Sequence, residues 1–227
     1  MNDTWKVELH SHTVWSKDCL IGLDQMVREC ARKGVDRIAI TDHNTAEGAL
    51  ELAKRAPNLV IVGEEIMTTQ GELLCFFVRA TIPRDLTPAE TIKRLREQGA
   101  FISVSHPYDR LRKGAWKEAD LLAIIDQVDA IEIFNSRCLY PTDNVKAYAL
   151  AKRIGKPGTV GSDAHIRFEI GRSTLHMRPF ADAASFGQAL MTAKSETKLS
   201  PAWVHGRSTQ AKYMKRLGLR KRLWEGG

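Results

Sequence analysis

Five short apolar runs each end in a histidine or an acid, and that pattern leaves few folds open. Val7-Glu8-Leu9 leads into His10-Ser11-His12, Ile38-Ala39-Ile40 into Thr41-Asp42-His43, and Val60-Ile61-Val62 into Gly63-Glu64-Glu65. Ile102-Ser103-Val104 leads into Ser105-His106-Pro107, and Thr159-Val160 into Gly161-Ser162-Asp163-Ala164-His165. Five of the seven histidines fall at these positions. A single strand ending in histidine says little. Five of them predict imidazoles and carboxylates converging on one rim of a sheet or barrel, where α/β folds place their chemistry. Such N and O donors suit divalent transition metals.

Between these runs the chain alternates strand and helix signals. A helical stretch through Met26, Val27, Cys30 and Ala31 ends at Gly34, and Arg37 to Thr41 reads as a strand. Thr45 is expected to cap a helix that stops before Pro57. Leu59 to Gly63 and Leu73 to Val78 read as neighbouring strands joined by the polar turn Thr68-Thr69-Gln70-Gly71. Thr87-Pro88-Ala89-Glu90 combines a capping hydroxyl, a first-position proline and a third-position acid, so a helix starts there. Strands are expected at Phe101 to Ser105, Ala130 to Phe134, the segment reaching Asp163, and Ser173 to Met177. Helices are expected at about Glu118 to Gln127, Asp143 to Ile154 and Ala183 to Ala193. About seven βα units predict an α/β fold with a parallel sheet or closed barrel. Ligands from the first and sixth strands meet most easily if the sheet closes on itself.

The chain is long enough, at 227 residues, for one large α/β unit. No apolar run approaches the ~18 residues of a spanning helix, and Met1 to Lys6 lacks the apolar core of a signal peptide. Cys19, Cys30, Cys75 and Cys138 are scattered without metal-knuckle spacing and read as reduced thiols of a cytoplasmic protein. The net charge of +7 is concentrated at the end: Arg207 to Gly227 holds seven Lys and Arg against one Glu. The body is therefore close to neutral. A globally basic surface built for nucleic acid is not supported, and a basic tail is.

Taken in order, His10-Ser11-His12, Asp18, Thr41-Asp42-His43, Gly63-Glu64-Glu65, Ser105-His106-Pro107 and Gly161-Ser162-Asp163-Ala164-His165 resemble the PHP (polymerase and histidinol phosphatase) family over roughly residues 5–195. The resemblance implies a distorted (β/α)7 TIM-like barrel, a site for two or three divalent metal ions (Zn, Mn or Fe) at the strand C-termini, and phosphoester hydrolysis. It implies that His10, His12, Glu65 and Asp163 hold one metal. Glu65 then bridges to a second, which His106 also binds, and Asp18, His43 and His165 hold a third. A bridging carboxylate keeps two cations at about 3.5–4 Å, which suits in-line displacement at phosphorus. Strand alternation sends Glu64 and Glu65 to opposite faces, so only Glu65 is expected in the site. Asp42 is expected to hold the neighbouring imidazole by hydrogen bonding. Where many family members carry a further histidine, this chain has Gly71-Glu72-Leu73-Leu74. Glu72 reads equally as a substitute ligand or base and as a strand-end charge.

Arg110, Arg112, Asn135, Arg137 and Arg172 all follow strand ends on the same expected rim. Forked guanidinium donors there suit a phosphate. Arg137 and Arg172 lie just past strand ends that should face the site and are the expected substrate-binding pair. His176 and His205 are set aside as structural or exposed. The reading divides the chain into a phosphoesterase domain, 1–200, and a basic C-terminal tail, 201–227. In the tail Tyr213, Met214, Leu217 and Trp224 interleave with Lys and Arg, so a helix there is amphipathic although Gly218 weakens it. The tail is expected to close the barrel, with binding to nucleic acid or another polyanion or to an anionic membrane as competing roles. The expected substrate is a phosphorylated small molecule, a nucleotide or a short oligonucleotide. A hydrolase of the amidohydrolase kind and a non-catalytic, metal-stabilised binding module are the competing functions.

Overall fold

Alternating apolar runs and amphipathic stretches fold as nine strands and seven α-helices among residues 4–219, which the computed structural model describes. The first half is β1 (Trp5–Glu8), α1 (Leu23–Lys33), β2 (Arg37–Ile40), α2 (Glu47–Arg55), β3 (Val60–Met67), β4 (Glu72–Phe76), α3 (Pro88–Glu97) and β5 (Phe101–Val104). There follow α4 (Glu118–Ile124), β6 (Ala130–Asn135), α5 (Pro141–Ile154), β7 (Gly158–Gly161), β8 (Thr174–Met177), α6 (Ala183–Leu190), β9 (Lys194–Glu196) and α7 (Trp203–Arg216). The Thr87 hydroxyl accepts from the Glu90 amide at 3.2 Å with Pro88 beginning α3, as the sequence dictates. Thr45 binds the Glu47 amide, so α2 starts two residues past it, with Ala46 at the cap position.

The strands form one sheet in the order β7-β6-β5-β4-β3-β2-β1-β8-β9. Pairs β1–β2, β2–β3, β5–β6 and β6–β7 are parallel. The sheet curls into a nearly closed α/β barrel. At the gap between β7 and β1, His12 N donates to Ala164 O at 2.9 Å and Ala164 N to His10 O at 3.2 Å. Two of the expected ligand segments are thus laced directly together.

The barrel departs from seven plain βα units in two places. β4 pairs antiparallel with both β3 and β5, which is the expected hairpin. After β7 the chain makes turns rather than a helix, and β8 lies antiparallel to β1. Its partner β9 was invisible in the sequence because Lys194-Ser195-Glu196 is short and exposed.

Inside the barrel, Val7, Leu9, Ala39, Ile61, Leu74, Phe76, Phe101 and Ala130 pack with Phe186 of α6. The outer cores pack the helices on the sheet, α1 and α2 through Met26, Cys30 and Leu52 and α3 to α5 through Leu95, Leu121 and Leu150. No helix among the described residues is long and apolar enough to cross a membrane. Arg220, Lys221, Arg222 and Trp224, part of the expected basic tail, lie outside the described residues.

Candidate metal centre

Each motif delivers its side chain from a strand end. His10 and His12 follow β1, His43 follows β2, Glu65 sits within β3, His106 follows β5, and Asp163 and His165 follow β7. Asp18 comes from the loop before α1. His106 and Asp163 leave their strands with positive φ (21° and 52°), a backbone state that non-glycine residues adopt at a cost and that marks functional turns. Gly161 has a different role. A Cβ there would lie 2.3 Å from the His10 Cβ and 2.9 Å from Glu132 Oε1, so only glycine lets β7 approach β1 this closely.

The side chains crowd one buried volume. His12 Nε2 lies 3.1 Å from Asp163 Oδ1 and 3.5 Å from Glu65 Oε2. His10 Nε2 lies 3.4 Å from Glu65 Oε1 and 3.6 Å from Asp163 Oδ1. His106 Nε2 is 2.9 Å from Glu65 Oε1, and His43 Nδ1 is 2.8 Å from Glu65 Oε2. Asp18 Oδ1 reaches His165 Nε2 at 3.4 Å and His43 Nε2 at 3.6 Å. Three groups have donor atoms close enough to share one ion: His12, His43 and His165; His10, His12 and Asp163; and His43, Glu65 and Glu72. All eight expected ligands are therefore gathered around Glu65 and Asp163.

The donor set fits divalent cations. The Nε2 atoms of His10 and His12, Glu65 Oε2, Asp163 Oδ1 and Asp18 Oδ1 are buried and have no hydrogen-bond partner among the described residues. A buried polar atom left unpaired costs about 1–3 kcal/mol, so five in one volume form an arrangement that a cation satisfies and a plain core does not. Second partners aim the rings. His10 Nδ1 meets Glu132 Oε1 at 2.9 Å. Ser16 Oγ donates to Asp42 Oδ1 at 2.5 Å, so it accepts from His12 Nδ1 at 3.1 Å. Asp42 was expected to steady His43 and instead acts through Ser16 on His12; its carboxylate also takes the Thr13 amide and hydroxyl. His165 Nδ1 faces the Asp163 carbonyl at 2.9 Å. Three imidazoles thereby present Nε2 inward, the orientation in which a ring can ligate an ion.

The imidazoles titrate apart: against burial, the charges of Asp163, Glu65 and Glu132 raise His10 well above the ordinary histidine range, and Glu65 and Asp18 raise His43 to about 9. Burial, then the neighbouring His165 and His43, hold His12 well below the ordinary histidine range, so it keeps a free lone pair. Burial alone would raise Glu65 and Asp163. The imidazoles of His10 and His43 for Glu65, and Arg112 with His10 for Asp163, outweigh burial and leave both well below the carboxylate range. Glu64 points away, as alternation requires, and accepts from the Ile82 amide at 3.0 Å, with burial pushing it up to about 8. Glu72 is buried, with Oε2 3.5 Å from His106 Nε2, so it stands at the edge of the cluster rather than in solvent. Burial and then the Glu65 charge raise its pKa.

The expected arginines divide. Arg137 is buried beside a cavity of about 310 Å³ over the cluster, its Nε 3.3 Å from Glu169 and its Nη2 2.8 Å from Ser208 Oγ. Arg172 is not brought there. Its guanidinium donates to the Leu199 carbonyl, lies 4.8 Å over the Phe168 ring, and lines a separate pocket with Lys6 and Lys33. Gly171, at φ 74°, turns the chain just before it, so closeness to His165 in sequence is lost in space. Arg110 forks onto Asp143 at the start of α5, with Nε 3.1 Å from Oδ1. Arg112 takes the place expected for Arg172: it donates to Asp163 Oδ2, leaving Oδ1 to the histidines, and lines the cavity. Asn135 Nδ2 also donates to Asp163 Oδ2, at 3.2 Å. Sequence reasoning missed Glu132, whose signal was an acid inside the apolar run Ile131-Glu132-Ile133, and His205, which lines the cavity from α7.

The family model described as the PHP domain matches residues 8–125, and a PHP-associated model matches residues 141–194. An uncharacterised protein of Methanocaldococcus jannaschii is 36% identical over 173 residues, 75% of this chain and 69% of its own length. A protein of Caldicellulosiruptor bescii named "Probable phosphatase" is 26% identical over 234 residues, 89% of this chain and 97% of its own. In three dimensions PsfC from Pseudomonas syringae superposes with a TM-score of 0.63 at 19% identity, covering 98% of this chain and all of that one. With the histidine and carboxylate motifs at the mouth of the barrel, these matches place the chain in the PHP family.

Proposed function

We propose that the chain is a metal-dependent phosphoesterase that hydrolyses a small phosphate monoester, a nucleotide or a short oligonucleotide. One observation carries this reading: five buried, unpartnered donor atoms face one another beneath a cavity edged by cationic side chains. Lys17, Arg84, Arg112, Lys113 and Arg137 line that cavity, and an anionic substrate is what such a rim attracts. Its volume of about 310 Å³ admits a phosphate with one small organic group.

His10, His12, Glu65 and Asp163 would hold one divalent ion, Glu65 and His106 a second with Glu72 beside them, and Asp18, His43 and His165 a third. Bound divalent cations supply Lewis acidity to phosphoryl oxygens and bring the pKa of a water towards neutrality. Arg112 and Arg137 would meet the negative charge on the phosphoryl oxygens, and Arg112 also fixes the Asp163 carboxylate through Oδ2. Glu132 and Ser16 keep the His10 and His12 rings from rotating. The residues 1–200 form the phosphoesterase unit, with 201–227 as a basic segment able to meet a polyanion. Four buried free cysteines suit a reducing cytoplasm.

The test is turnover. Purified protein loaded with Mn, Zn or Fe is assayed on p-nitrophenyl phosphate, phosphorylated metabolites, nucleotides and short RNAs, and on amide and ester substrates of amidohydrolases. Metal-dependent phosphate release, abolished by chelation, is the expected result. Turnover confined to amides or carboxylic esters, or metal uptake without turnover of any kind, would replace this reading with one of its two competitors.

A further inference from the structure

We propose that His205 is a substrate-binding residue, carried by α7 into the cavity over the metal centre, where its imidazole hydrogen-bonds the phosphoryl group of the ester. The inference rests on the phosphoesterase reading above and extends it to a helix outside both matched family segments.

Position is the first ground. His205 lines the same cavity as His43, His165, Arg112 and Arg137. Its own helix is clamped over that cavity. Val204 O and Ser208 Oγ, on either side of His205, both accept from Arg137 Nη2, at 3.3 and 2.8 Å. One helical stretch later, Lys215 Nζ donates to Val14 O at 2.7 Å and to Ser16 O, in the loop between His12 and Asp18. α7 is thus tied to the β6 end and to the β1 loop, and its buried Val204 and Ala211 seat it. The placement of the ring follows from these contacts.

The ring's own chemistry is the second ground. His205 Nε2 is buried and has no hydrogen-bond partner among the described residues. An apolar side chain would fill that place without the cost of about 1–3 kcal/mol that an unpaired polar atom carries. Burial, then the charges of Arg137 and Arg112, hold His205 below the ordinary histidine range, so its ring rests neutral beside two guanidinium groups. An oxyanion entering the cavity beside Arg112 and Arg137 would give His205 Nε2 the partner it lacks.

The experiment compares wild type, His205→Ala and His205→Gln as full-length, Mn-loaded proteins. Orthophosphate affinity is measured by titration calorimetry, kcat and KM on p-nitrophenyl phosphate, metal content by elemental analysis, and folding by thermal melting. His205→Ala should weaken orthophosphate binding and lower kcat/KM by about tenfold, the worth of one hydrogen bond to a charged group. His205→Gln, which keeps a donor, should recover part of the loss, and metal content and melting temperature should stay at wild-type values. Orthophosphate affinity and KM unchanged in His205→Ala, or a loss of bound metal in step with activity, would overturn the proposal. Turnover that ignores His205 sinks this inference alone. Phosphate binding that needs His205 in a protein without turnover sustains the inference and removes the esterase reading. Absence of phosphate binding in the wild type removes both.

Discussion

The two ends of the barrel interior are built from the same strands and have opposite energetics. On β3, Ile61 faces the floor and Glu65, four residues on and on the same side, faces the mouth. On β4, which runs the other way, Phe76 faces the floor and Glu72 the mouth. At the floor Phe186 meets Phe101 edge-on at 4.9 Å and Phe76 at 5.7 Å. Aromatic burial there stabilises without any partner from outside. At the mouth, imidazoles and carboxylates are buried just as deeply, and desolvation works against them until cations or substrate arrive. Floor changes should therefore cost stability and spare chemistry, and mouth changes should do the reverse.

The sharpest break in that contrast is Asp163→Ala. Loss of the carboxylate shared by His10, His12 and Arg112 should lower kcat/KM by at least about a thousandfold, while the metal-free protein melts within a few degrees of wild type. Retention of a tenth of the activity in steady-state assays would remove Asp163 from the centre. At the floor, Phe186→Ala should cost about 3–5 kcal/mol in denaturant unfolding with kcat of the folded fraction within about twofold. A large loss of kcat at unchanged stability would mean that floor and mouth are not separate. Between the two stands Glu132→Gln, buried within β6 but acting on His10. Metal titration should show about 10–100-fold weaker binding, and unchanged affinity would make Glu132 a mere strand acid. Smallest is Arg172→Ala, expected to change kcat/KM by no more than about twofold because its partners are Leu199 and Phe168. A drop above tenfold would restore it to the substrate's path.

Seven of the eight candidate ligands were legible because each is an anomalous polar residue just after an apolar run, a signal local to one strand, whereas Asp18, in a loop, rested on the family resemblance. Family, α/β class and the β3–β4 hairpin followed from the same local signals. What escaped reading depends on long-range packing. Arg172 looked close to the site because it follows His165, but the turn from Ile166 to Arg172, in which Glu169 Oε2 accepts the His165 amide at 3.0 Å, carries it away. Glu132 acts on His10, 122 positions away, and Ser16, though only four residues past His12, is turned to it by Asp42, 26 positions on. His205 belongs to a helix whose face is decided by Arg137 and Lys215, contacts that span 67 to 201 positions.

The claim beneath all of this is that the unpartnered atoms at the mouth are a cage for cations. Anomalous diffraction from crystals grown with Mn, recorded on both sides of the metal edge, addresses it directly. The account predicts strong peaks enclosed by the Nε2 atoms of His10 and His12 and the carboxylates of Glu65 and Asp163. Peaks confined to surface carboxylates, with those four side chains bonded only to one another, would contradict it.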